Sequence, residues 1–238
     1  DLVVARVVLR DKSLLSEVSI RWWFGLGNPD AVHNNNIRYS LPFSGKQRHV
    51  CQSFGGRFSH TGRLHYSVDV DLPPGHQVRA CRSGVVQALC NSHDKGGPSR
   101  KFAGMANYVH ILHSDGTVGC YMHFEHNGVT CRLGSAVKRG QVIGFIGLTG
   151  FTSRPHVHFH VKRHGDFFTG TEWETVPFVF KAQASKGLVL KKGCWYENRA
   201  GVAVMTRSTP SKKKKSASSP QKTQTGGGGG VAVAADSA

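Results

Sequence analysis

Acidic residues are scarce in this chain: 14 Asp and Glu stand against 31 Lys and Arg, for a formal net charge of +17 at pH 7. The imbalance is not confined to one end. Six basic residues and one acidic residue follow Met205, which accounts for +5 and leaves +12 on the preceding residues. A surface of this sign selects anionic partners, whether nucleic acid, anionic lipid or an acidic wall polymer, and charge does not choose among them. No apolar run reaches the ~18 residues of a membrane span. The six cysteines (51, 81, 90, 120, 131 and 194) contain no C-x-x-C pair, which argues against a zinc finger or a thioredoxin-type site. Disulfides and buried free thiols both remain compatible with them. No G-x-S-x-G elbow is present, against an α/β serine hydrolase. The glycine-rich stretch Gly140–Gly150 lacks the Lys–Ser/Thr ending of a phosphate loop and leads into no helical pattern, so it reads as strand and turns.

Helical periodicity is also missing from residues 40–180. What is there is β-texture: short Val/Ile/Phe runs such as 84–89, 107–112, 118–123, 141–146 and 156–161, separated by Gly, Pro, Asn and Asp. Ser114–Asp115–Gly116 between two alternating runs predicts a hairpin loop. The expected organisation is a small β-rich segment at 1–39, a mainly β domain at 40–180, and an extension at 181–204 with a strand at Leu188–Leu190. A Lys/Gly-rich tail over 205–238 has a composition too polar to offset ordering entropy and is expected to be disordered. The first residue is Asp1, and export is not legible in the chain.

Two of the β-runs carry chemistry on one face. In 64–71, His65, Ser67, Asp69 and Asp71 alternate with Tyr66, Val68 and Val70. In 156–161, His156, His158 and His160 alternate with Val157, Phe159 and Val161. Imidazole nitrogen and carboxylate oxygen are zinc donors, and catalytic zinc sites keep three protein ligands and one open position. His65, Asp69 and one histidine of the 156–160 ladder would supply those three, and spacing does not say which ladder histidine it is. Water at the open position has its pKa lowered toward ~7. His123, in Tyr121–Met122–His123, and the remaining ladder histidines are then candidates for proton transfer and oxyanion stabilisation. His33, His49, His60, His76, His93, His110, His113, His126 and His164 read as structural.

These stretches, in order, resemble the lysostaphin/LytM-type zinc endopeptidases of peptidoglycan. The resemblance runs through Ser59–His60 to His65–Tyr–Ser–Val–Asp69, Pro73–Pro–Gly75, Ser83–Gly84–Val85–Val86, Asn107 to Gly116, Tyr121–Met–His123–Phe124, Val137 to Gly150 and His156–Val–His158–Phe159. It covers roughly residues 40–180. It implies an antiparallel β-sheet groove, one Zn²⁺ held by His65, Asp69 and His158, and catalytic roles for His123 and His156. It further implies action on peptidoglycan or another anionic wall polymer rather than a specific nucleic acid, and a secreted or envelope location. Ser67 stands where the family usually has Gly, and His160 where it often has Glu, so His160 is a competing ligand candidate. A non-catalytic wall-binding or hydrolase-activating module of the same fold is the alternative function.

Overall fold

The computed structural model describes residues 32–34, 36–164, 173–183 and 186–208. Alternation decides the main layer. Val68 and Val70, Val157, Phe159 and Val161, Tyr121, Val109 and Ile111 all turn to one face and are buried. Each such side chain contributes roughly 1.5–3 kcal/mol on leaving water. The strands that carry them lie side by side in an antiparallel sheet. Its order is Val202–Ser208, Cys194–Arg199, Gly45–Gln52, Ser67–Asp71, His156–His164, Val118–Val129, Asn107–Leu112, Gly84–Cys90 and Ala136–Val137. Strand Val142–Ile146 folds against Val118–Val129 and Gln77–Arg79. No α-helix occurs among the described residues, and two single 3-10 turns, Gly62–Leu64 and Arg100–Phe102, punctuate the loops. No helix is long and apolar enough to cross a membrane among the described residues.

The mainly β expectation therefore holds. The hairpin at 114–116 forms as its turn chemistry dictates: His113 N donates to Thr117 O at 2.8 Å, and Gly116 takes φ +77°. At the C-terminal side the structure differs from the sequence reading. Leu188–Leu190 makes only a bridge, from Leu188 to Phe180. The ordered unit is instead the hairpin Cys194–Arg199/Val202–Ser208, laid on the edge of Gly45–Gln52. Tyr196 is its anchor, fully buried and accepting Lys191 N on its hydroxyl at 3.0 Å. Residues 205–208, assigned to the tail, belong to this hairpin because they pair with Cys194–Tyr196. The expectations for 1–31 and 209–238 lie outside the described residues. The six cysteines are all free.

Candidate metal centre

Register brings the polar faces of the two histidine-bearing strands together. His158 stands opposite Asp69, His156 opposite Asp71 and His160 opposite Ser67. On the other side His158 pairs with Met122, next to His123. Asp69 becomes the hub. Its Oδ1 lies 2.8 Å from His158 Nδ1, 3.1 Å from His60 Nε2 and 3.7 Å from His156 Nε2. Its Oδ2 accepts from Gln52 Nε2 at 2.9 Å. Burial would raise the Asp69 carboxyl, yet the positive field of His156 and the contacts of His158 and His60 hold it well below the usual carboxylate range.

His60, read as structural from the sequence, enters this hub and His65 does not. The His60 ring donates Nδ1–H to Ser53 O at 2.9 Å, which leaves a lone pair on Nε2 aimed at Asp69. That nitrogen is buried without a hydrogen-bond partner. At 3.1 Å from Asp69 Oδ1 this nitrogen is at ion-pair distance when it carries a proton and can share a metal ion with the carboxylate when it does not. His60, Asp69 and His158 together offer two imidazole nitrogens and a carboxylate oxygen within 4.8 Å of one another, a group fit to hold a metal ion. Donor type and number match a zinc site with an open position.

The placement of His65 corrects the expectation that it shares a strand face with Asp69. The strand begins only at Ser67. His65 caps the 3-10 turn Gly62–Leu64 in right-handed helical conformation, and its exposed ring packs edge-on to Tyr66 at 4.7 Å. The cause is local. Ser67 Oγ donates to Leu64 O at 2.7 Å, Gly55 N donates to His65 O at 2.8 Å, and Tyr66 N donates to Thr175 Oγ1 at 3.1 Å. These bonds occupy the backbone in a turn where an extended strand would need it free.

His123 arrives by a different device. Its neighbours Met122 and Phe124 pair with Tyr108 and Asn107, so His123 is one extra residue in the ladder, at φ +72°. Such a bulge re-aims a side chain, and this conformation is costly for a non-glycine residue. The surroundings hold it in place. Gly147 N donates to His123 O at 2.8 Å, and Thr149 Oγ1 donates to Phe124 O at 2.7 Å. Asn107 Nδ2 donates to Glu125 O at 3.0 Å. Gly147 must be glycine, because a Cβ there would sit 2.4 Å from the Glu125 Cα. His123 Nδ1 donates to Thr149 O at 2.7 Å, so Nε2 is the free acceptor. Burial, then the nearby His156, lowers its pKa to about 3, and the ring is neutral at pH 7.

His156 is held the same way. Its Nδ1 donates to Arg154 O at 2.8 Å and lies 3.2 Å from Thr152 Oγ1. Its ring stands 4.6 Å from that of His123. The Nε2 edges of His123 and His156 thus accompany the His60/Asp69/His158 group, that of His156 lying 3.7 Å from Asp69 Oδ1. His160 is a support and not a member of that group: its Nδ1 meets His158 Nε2 at 3.0 Å, on the ring edge away from Asp69, and Trp173 stacks on it at 5.9 Å.

Sequence reasoning passed over three contributors. His60 lies nine residues before Asp69 and outside any strand, so no periodicity marks it. Gln52 ties the His60 loop to the hub: its Nε2 also reaches Ser59 Oγ at 2.8 Å, and its Oε1 accepts Phe58 N at 3.2 Å. Thr149 fixes the bulge. Neither leaves a signal in spacing or composition.

Residues 63–169 match the model of "Peptidase family M23". Lysostaphin of Staphylococcus staphylolyticus is 32% identical over 126 residues, covering 52% of this chain and 24% of the relative. The DD-carboxypeptidase/endopeptidase Mpg of Neisseria meningitidis is 36% identical over 119 residues, covering 49% of this chain and 25% of the relative. The chain thus spans about a quarter of the length of these curated relatives. Among solved structures, a zinc-containing peptidase from Vibrio cholerae is 26% identical, with 52% of this chain and 36% of that chain covered and a TM-score of 0.38.

Proposed function

We propose that this chain, which belongs to peptidase family M23 of the lysostaphin/LytM type through residues 63–169, is a zinc-dependent endopeptidase acting on the peptide cross-bridges of peptidoglycan. The observation that carries the reading is the buried His60 Nε2 turned on the Asp69 carboxylate, with His158 Nδ1 beside it. We assign one Zn²⁺ to His60, Asp69 and His158. Bound there, zinc lowers the pKa of water toward ~7 and polarises a carbonyl.

The remaining work falls to the chain's own groups. His123 and His156 each keep Nδ1–H on a backbone carbonyl, which fixes the tautomer and presents Nε2 as acceptor. One of the pair takes the proton of the attacking water. The imidazolium so formed donates to the developing oxyanion and passes that proton to the leaving amine, the second ring standing 4.6 Å beside it. Gln52 and His160 hold the ligand side chains from behind, as outer partners of metal ligands do. The +12 carried before Met205 suits an acidic wall polymer and raises encounter rates with it. A secreted or envelope location belongs to the same proposal.

Metal analysis of purified protein, followed by mass spectrometry of fragments released from defined peptidoglycans, tests it. About one zinc per chain and chelator-sensitive release of cross-bridge fragments are expected. Wall binding with neither zinc nor cleavage would establish the non-catalytic module instead. Full cleavage by His158→Ala protein would remove the metal assignment.

A further inference from the structure

The C-terminal hairpin lies beyond the matched segment 63–169 and builds a second feature. Trp195 of the hairpin walls an open cleft of about 460 Å³, together with Arg48 and His49 of the adjoining strand, Asp71, and Arg154. The cleft adjoins the metal centre: Asp71 is two residues past Asp69 on the same strand face and pairs in register with His156. Arg154 holds His156 through its carbonyl.

The polar groups of this cleft are incompletely used. Asp71 Oδ2 accepts from His49 Nδ1 at 2.8 Å and lies 3.5 Å from Arg154 Nη1. Asp71 Oδ1 is buried with no hydrogen-bond partner, and so is Arg48 Nε. The Arg154 side chain is 56% exposed. Buried donors and acceptors without partners are rare and costly. The indole is no free platform for a sugar ring, because Arg207 stands 4.4 Å over it and His49 packs against it at 5.2 Å. Two guanidiniums against one already paired carboxylate favour an anion.

We propose that this cleft is an accessory subsite for a carboxylate-terminated amino-acid residue of a peptide, with its carboxylate between Arg48 and Arg154. Arginine is suited to this pairing by its planar array of donors. The identity of the peptide as a wall stem rests on the peptidase reading; the binding itself does not.

N-acetylglycine and N-acetylglycinamide share the amide and differ only in the carboxylate. Titrated into the full ¹⁵N-labelled chain, the acid should shift the Arg48 Nε–H and Trp195 indole N–H resonances saturably, and the amide should bind at least about tenfold more weakly. Arg48→Gln and the more exposed Arg154→Gln should each weaken the acid by roughly tenfold, with the rest of the spectrum showing the fold retained. Equal response to both probes, no response, or acid binding unchanged in both variants overturns the subsite. The titration is repeated with chelator present. Acid-selective binding that the chelator leaves unchanged, in protein that as purified carries no zinc and cleaves no wall, leaves the subsite standing and removes the peptidase reading; zinc-dependent cleavage without acid-selective binding removes the subsite alone.

Discussion

One oxygen of Asp69 has three imidazoles around it, and which of them could hold a metal ion is decided residue by residue. Two histidines compete by different criteria: His65 by its spacing of four from Asp69, His60 by its contact at 3.1 Å. His60→Ala is expected to lose zinc affinity by about two orders of magnitude or more, since removing even outer partners of a ligand costs 10–100-fold. His65→Ala should keep near-normal affinity. Competition against a chromophoric chelator measures both, and the opposite ranking would return the role to His65. Gln52→Leu should weaken zinc by roughly 10–100-fold while leaving the three ligands present, because the clamp between Asp69 and the His60 loop is gone. The difference between the two histidines was not legible in the sequence. A period of two marks a face only where the chain is extended, and Ser67, by bonding to Leu64 O, ends the extension one residue short of Tyr66.

At the level of elements, the bulge at His123 positions the candidate site and the C-terminal hairpin walls the cleft beside it. Thr149→Val keeps the side-chain shape and removes the hydroxyl that serves both Asn107 N, at 3.0 Å, and Phe124 O, at 2.7 Å. Two buried groups lose a partner, so a loss of about 2–4 kcal/mol in urea unfolding is expected. Cleavage should fall further than stability explains, because the His123 ring is re-aimed. The hairpin makes a separate prediction. Tyr196→Ala should cost about 3–5 kcal/mol and lower one cooperative transition, seen alike by fluorescence and far-UV circular dichroism, because Tyr196 is part of the main core. Two separate transitions would mean that the hairpin folds independently. The strand runs at 107–112, 118–123 and 156–161 and the 114–116 turn were legible, since alternation and turn chemistry are local. The bulge was not, because one extra residue disturbs no pattern until its partner strand is known.

Across the whole molecule, buried neutral histidines couple stability to pH. His113, buried and packed edge-on to Tyr39 at 5.8 Å, has its pKa lowered to about 4, chiefly by burial and also by Arg82. The unfolded chain binds that proton near pH 6.5 and the native one does not until about 4. Stability is therefore whole above pH 6.5 and falls as pH drops through this window, by about 3 kcal/mol from this residue. Urea midpoints at pH 7 and pH 4.5 should differ accordingly, and His113→Gln should flatten the fall; an unchanged slope would acquit His113. In the same molecule zinc, if it binds only the native state, adds about 2.7 kcal/mol at a hundredfold excess over its dissociation constant, which a rise in Tm reads.

Composition and alternation by themselves determined the sheet, the basic character and the polar face that carries Asp69, His156 and His158, because side-chain direction in a strand follows from position alone. Order along the chain pointed to the family. Tertiary structure alone decided that His60 meets Asp69, that a bulge delivers His123, and that a C-terminal hairpin closes a cleft beside the candidate metal centre. Each of these depends on which distant segments come into contact: Ser53 with His60, Thr149 with His123, and His49 with Trp195. Local pattern carries no information about such pairings, and the free energy that selects them comes from burial and hydrogen bonds shared across the whole sheet.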